Sequence, residues 1–245
     1  MNRASDYSRM DEGLRFLSSY GPDLSNGFTN HGPMVTEALS AMGRADAVMP
    51  WLTRNWPLRQ TLTPNVESTQ AIGDWRAALG NDDPAAWTAF LAQEIWDTRW
   101  QDFVARWSQR LAPAIGCAAA HGAIRAGHAV RSLAERETPE RLNELARAFG
   151  YWAACHETLP VADYAGAPLS AREAIGRVPL CPGPAREQRG SFSAGLRSLH
   201  DFPDFAPVIG MIEVRGDPAT TLSEMTECFA RVYLANARDS YTAIA

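Results

Sequence analysis

Apolar residues recur along this chain at helical spacing. In "WTAFLAQEIWDTRWQDFVARWSQRL" (87–111), Trp87, Phe90, Leu91, Ile95, Trp96, Trp100, Phe103, Val104, Trp107 and Leu111 fall three, four or one apart. That single broad stripe predicts one long helix, with Asp83 as its cap and Pro84 in its first turn. Pro113 marks a break, and "AIGCAAAHGAIRAGHAVRSLAER" (114–136) predicts the next helix, poor in large side chains. Thr138 and Pro139 open another, "TPERLNELARAFGYWAACHETL", which stops before Pro160.

Upstream, Asn30 caps a helix over about 32–42 that Gly43 ends, and "DAVMPWLTRNW" and "STQAIGDWRAALG" predict shorter ones. Residues 159–189, rich in Pro, Gly and Ala, read as a long connection with one helical turn at "SAREAI". The best strand candidate is "APVIGMIEV", which fits a buried helix equally well. Asp217 and Pro218 begin a last helix that runs to Ala245 without a cap or a polar tail, so its partners are expected downstream. The expectation is an all-α protein: one helical domain of about 8–10 helices over 1–245, C-terminally incomplete, with the Pro/Gly-rich connection around 159–190.

Composition changes this picture little. The 245 residues are 46% hydrophobic and 21% charged, ordinary for a globular chain. Net charge is −5 and no basic run marks a footprint for nucleic acid or an anionic membrane. All 23 basic residues are arginine, so no lysine Schiff base or carbamate is available. Cys117, Cys155, Cys181 and Cys228 are widely spaced, which favours reduced, buried thiols. The N-terminus lacks an apolar signal core and no segment is apolar enough to span a bilayer, so a soluble, cytoplasmic protein is expected.

Five histidines carry the candidate chemistry. His121 and His128, seven apart on one predicted helix, share a face within about 20° but are separated by two turns, about 10 Å. His31 sits at a helix N-terminus, where the dipole keeps an imidazole neutral and able to bind a metal. Taken alone, each is equally a capping, packing or surface residue. Three histidines from two helices would suit Fe, Cu or Zn without choosing among them. His156 beside Cys155 points elsewhere on its helix, and His200 lies in an exposed turn. No Rossmann glycine pattern, Walker loop, GxSxG elbow or HExxH occurs. The eight tryptophans read first as helix-packing residues; Trp51, Trp56 and Trp152, near the histidine helices, are alternatively candidates to line a pocket for a flat aromatic ligand.

"NHGPMVTEALSAMGRADAVMPWL", "HGAIRAGHAVRSL" and "TPERLNELARAFGYWAACHETLP" occur in the order, and at about the separations, found in the questin oxidase-like family. The chain resembles that family closely over about 10–160 and loosely beyond. The resemblance implies an all-helical oxidoreductase that oxidatively opens a polycyclic aromatic ring, as in anthraquinone cleavage. It implies Fe(II) held by His31, His121 and His128, with Arg125, one turn from each helix histidine, beside the metal ligands or a substrate anion. A small aromatic ketone or phenol and O2 are the implied reactants. The alternatives are an NADPH-dependent Baeyer-Villiger-type oxidation without metal, and a non-catalytic helical binding protein or inactive fragment. Neither nucleic acid nor membrane is an expected partner.

Overall fold

The computed structural model describes residues 4–54, 61–181, 192–212, 214 and 216–237. These residues are predominantly helical, with one two-stranded antiparallel sheet, as the apolar periodicity implies. Within this helical fold the chain divides into two compact units, Met1–Thr158 and Leu159–Ala245. The boundary falls where the Pro/Gly-rich stretch begins.

The first unit runs α1 (Met10–Leu17), β1 (Tyr20–Leu24), α2 (Gly32–Ala41), α3 (Ala45–Arg54), β2 (Leu62–Pro64), α4 (Trp75–Ala78), α5 (Pro84–Asp97), α6 (Trp100–Leu111), α7 (His121–Glu135) and α8 (Pro139–Ala154). α8 is the central element: nearly all its residues from Arg141 to Ala154 are buried, and it packs on α1, α5, α6 and α7. The caps are those expected from sequence. Asp83 accepts from Ala86 N–H at 2.9 Å and Thr138 accepts from Arg141 N–H, each satisfying a first-turn donor.

The long stripe from Trp87 to Leu111 is divided. Thr98 is extended and its hydroxyl donates back to Glu94 O at 2.8 Å, so α5 ends and α6 starts as a separate helix. The reason lies in the core. On one straight helix Trp87 and Trp107 would stand about 30 Å apart; folded back, their rings meet edge to face at 5.8 Å. The Trp107 indole N–H then donates to Glu94 Oε2 at 2.8 Å, so this large ring is buried without an orphaned donor.

The stretch expected to form a helix from Ala114 does so only from His121. Before it, Ala118, Ala119 and Ala120 have φ of 46°, 53° and 62°, a left-handed turn of three alanines. Left-handed backbone costs an L-residue roughly 1–2 kcal/mol, which a helix forecast from composition does not include. Of "STQAIGDWRAALG", only Trp75–Ala78 is helical. β1 and β2 pair Tyr20 with Pro64 and Leu24 with Leu62; both are too short and too polar to show an alternation in the sequence.

The second unit holds α9 (Ala171–Ile175), α10 (Phe192–Ser198), 3₁₀ turns around Leu199–Met211, and α11 (Pro218–Asn236). Ser170 and Glu173 form a full capping box on α9, the single turn expected at "SAREAI". "APVIGMIEV" is not a strand: Ile209–Met211 is a 3₁₀ turn, and Ile212 makes one bridge to Leu169. α11 begins at Asp217 and Pro218 as expected. It does not run on uncapped as expected: it ends at Asn236, where Ala237 turns extended and its N–H donates to Tyr233 O; "YTAIA" and Trp56 lie outside the described residues.

Candidate functional site: two cross-helix rungs

The candidate site is built on α2 and α7, which lie side by side in the first unit. Asn30 Oδ1 accepts from Gly32 N–H at 2.9 Å and starts α2. His31 is thereby left at the N-terminus of the helix, and Pro33 in its first turn removes a donor that would lack a partner. On α7, Gly122 permits close approach to α8, since a Cβ there would stand 2.6 Å from Trp152 Cβ. That contact fixes the height of His121 above the core.

Two histidine rungs cross between the helices, in parallel order. In the first, His31 Nε2 and His121 Nε2 are 3.0 Å apart, with rings at 86° and centroids 4.8 Å apart. In the second, His128 Nδ1 meets Glu37 Oε2 at 2.6 Å. His128 therefore does not join the other two. Seven residues place it about 10 Å further along the axis, and Glu37, six residues after His31 on α2, stands opposite.

The first rung is fixed from behind. His31 Nδ1 lies 2.8 Å from Thr29 O, and His121 Nδ1 lies 2.6 Å from Ala118 O. A carbonyl only accepts, so each Nδ1 carries a proton and the two Nε2 atoms are turned toward each other. The left-handed alanine turn places the Ala118 carbonyl beneath His121, which gives that strained segment a role in the site. Burial, and then the neighbouring His121, hold His31 below the ordinary histidine pKa.

The second rung is a charge cluster. Glu37, fully buried, accepts from Tyr7 O–H at 2.6 Å, from His128, and from Arg131 through Nε at 2.6 Å and through Nη2. Burial alone would raise its carboxyl pKa, but the donors, Arg131 foremost, outweigh it and hold it at about 2.

Two further groups adjoin the first rung. The Tyr151 hydroxyl on α8 joins Thr29 Oγ1 at 3.1 Å and donates to Asp23 Oδ1 at 2.9 Å. Burial, only partly offset by the Tyr151 hydrogen bond, holds the Asp23 carboxyl above the usual range, and Asp23 lies near enough to His121 for their charges to interact. Arg125, wholly buried, donates from Nε and Nη2 to Glu144 at 2.6 and 2.9 Å. Asp23, Arg125 and Arg147 line one wall of a cavity of about 510 Å³, whose other walls are mostly hydroxyl, amide and carboxylate groups from 63–70 and 82–88.

The structure thus brings His31 and His121 together, sets His128 apart on Glu37, and places Arg125 on the cavity with its guanidinium engaged. Trp152 belongs to the core, its indole donating to Ala114 O, and Trp51 packs beside Leu17, Val48 and Leu52; neither lines the cavity. His200 is exposed, as expected. Asp23, Tyr151 and Glu37 were not singled out from the sequence. Asp23 and Tyr151 have no motif around them, whereas Glu37, six after His31, has a spacing close to the seven between His121 and His128 and could have been found. Among the described residues no group of three or more His, Cys, Asp or Glu is placed to hold a metal ion, and no helix is long and apolar enough to cross a membrane. Compared with models of known protein families, with curated proteins and with solved structures, the chain matches none.

Proposed function

We propose that this chain is an oxidoreductase of the questin oxidase-like kind, acting on a polycyclic aromatic ketone or phenol beside Fe(II) held by His31 and His121. The reading is supported by the convergence of two Nε2 lone pairs, each ring locked from behind by a backbone carbonyl. Two imidazoles bonded to one ion at about 2.1 Å and at right angles have nitrogens roughly 3.0 Å apart. The distance here is 3.0 Å. Metal-binding histidines commonly donate their other N–H to such an acceptor. The fit extends to two protein ligands, because among the described residues no three His, Cys, Asp or Glu side chains are placed around one ion.

Fe(II) bound there would supply redox chemistry with O2. The protein's own groups do the remaining work. Thr29 O and Ala118 O orient the rings. Arg125 and Arg147 bring two guanidiniums to the cavity, the first paired with Glu144, among the carboxyls of Asp23, Glu67, Asp82 and Asp83; these are the groups that would orient a phenol or carbonyl oxygen. Asp23, whose carboxyl burial holds above the usual range, is the acid-base group at the same wall for exchange with a substrate oxygen.

A second reading rests on the same distance. An N–H···N hydrogen bond also spans 3.0 Å when one ring carries both protons. His31, held low, would be the neutral acceptor and His121 the donor. The pair is then a proton carrier in a metal-free, NADPH-linked oxidation of the Baeyer-Villiger type.

Anaerobic titration of the full chain with Fe(II), followed by metal analysis, separates the two. The iron reading expects stoichiometric binding that His31→Ala and His121→Ala abolish. His128→Ala should weaken binding by no more than the roughly 10–100-fold that losing an outer partner costs. A parent that holds no stoichiometric iron, or three variants with equal iron content, overturns it. Oxidation that survives a strong chelator favours the second reading.

A further inference from the structure

Cys117 follows the short 3₁₀ turn after α6, and Cys155 ends α8, yet their sulfurs lie 2.8 Å apart. Both also point at one acceptor, Trp152 O, at 3.7 and 3.6 Å. A disulfide bond is about 2.05 Å long, so less than about one ångström of sulfur movement separates the thiol pair from a covalent bridge. Cys117 is buried in the core of the first unit, while Cys155 is half-buried and reachable.

We propose that Cys117 and Cys155 form a reversible dithiol-disulfide site, oxidised by a low-molecular-weight disulfide of the glutathione type. In the first exchange the Cys155 sulfur attacks the small disulfide, forms a mixed disulfide and releases one small thiol. In the second, Cys117 attacks the Cys155 sulfur and releases the other. The two protein thiols lose two protons and two electrons; the oxidant gains both and leaves as two thiols. The bridge ties the residue before the left-handed alanine turn to the end of α8. It thereby holds the Ala118 carbonyl that receives His121 Nδ1–H. The inference rests on the sulfur pair alone and is independent of any metal at the histidines.

Tryptic mapping tests it directly, because arginines at 110, 125, 147, 172, 177, 186, 215 and 231 place the four cysteines on four different peptides. The full chain is incubated with oxidised glutathione, free thiols are blocked under denaturing conditions, and linked peptides are identified by mass. The expected result is one linked species, 111–125 with 148–172, lighter by two hydrogens than its parts and lost on adding dithiothreitol. Cys155→Ser, which keeps size and removes the sulfur, is expected to give no link. Recovery of Cys117 and Cys155 as separate blocked peptides overturns the proposal. So does a stable mixed disulfide on Cys155, or a link from Cys117 to Cys181 or Cys228.

Discussion

His31 Nε2 and His121 Nε2 face each other across 3.0 Å while both Nδ1 atoms rest on carbonyl oxygens. The arrangement fixes the tautomer of two rings at once, because a proton moved to either Nε2 would leave its Nδ1 lone pair facing a carbonyl lone pair. In chelated protein at pH 8, long-range proton-nitrogen spectra are expected to show Nδ1 protonated in both rings. A protonated Nε2 in both would mean that the carbonyls do not orient the pair.

Glu37 gives a second test. It is buried and receives Tyr7, His128 and Arg131. Glu37→Gln keeps the shape and removes the charge, and hydrogen bonds to a charged group are each worth about 1.5–3 kcal/mol. A loss of about 2–3 kcal/mol in urea unfolding at pH 7 is expected. The pH dependence follows from the lowered pKa. Its contribution is fully present above the unfolded value of 4.5 and is lost as pH falls toward about 2. The gap between parent and Glu37→Gln should therefore shrink from pH 7 to pH 3; a constant gap would show that the charge contributes nothing.

Much of this molecule is legible in its residues. Helical class, the caps at Asp83, Thr138 and Asp217, and the turn at Ser170 follow from local chemistry, which acts within a few residues. The division at Thr98 does not, because the gain comes from Trp107 returning to Trp87 across 20 positions. The left-handed alanines are hidden for a related reason: alanine is the best helix former, and what opposes it are distant contacts such as Cys117 beside Cys155 and His121 beside His31. At the site, the seven-residue spacing placed both α7 histidines on one face, as the structure has them. Whether they share a partner depended on α2, where Glu37 offered His128 a carboxylate of its own.

Gly122 and Gly127 on α7 should respond in opposite directions to alanine. A Cβ at Gly122 would stand 2.7 Å from Trp152 Cα, so α7 must lift from α8, at a cost of about 1–3 kcal/mol. A Cβ at Gly127 meets nothing within 4 Å, and removing a helix glycine there should stabilise by about 0.5–1 kcal/mol. Thermal unfolding of the two variants checks both signs. The same lift moves His121, so Gly122→Ala alone should also weaken any metal binding at the first rung.

Arg125 and Glu144 are both buried, and removing one member of such a pair strands the other. The two losses should be unequal because Arg147 also approaches Glu144, at 4.0 Å, while donating to Ser18 O and Tyr20 O. Arg125→Met leaves Glu144 with Arg147 as a remaining cation, so a cost near the lower end of about 3–5 kcal/mol is expected. Glu144→Gln leaves two guanidiniums facing each other without a carboxylate between them, and burial together with Arg125 already disfavours the Arg147 charge. Its cost should reach the upper end of that range, about 5 kcal/mol. Denaturant unfolding of the two single variants measures the order. Equal losses, or a larger loss for Arg125→Met, would show that Arg147 takes no part in balancing Glu144.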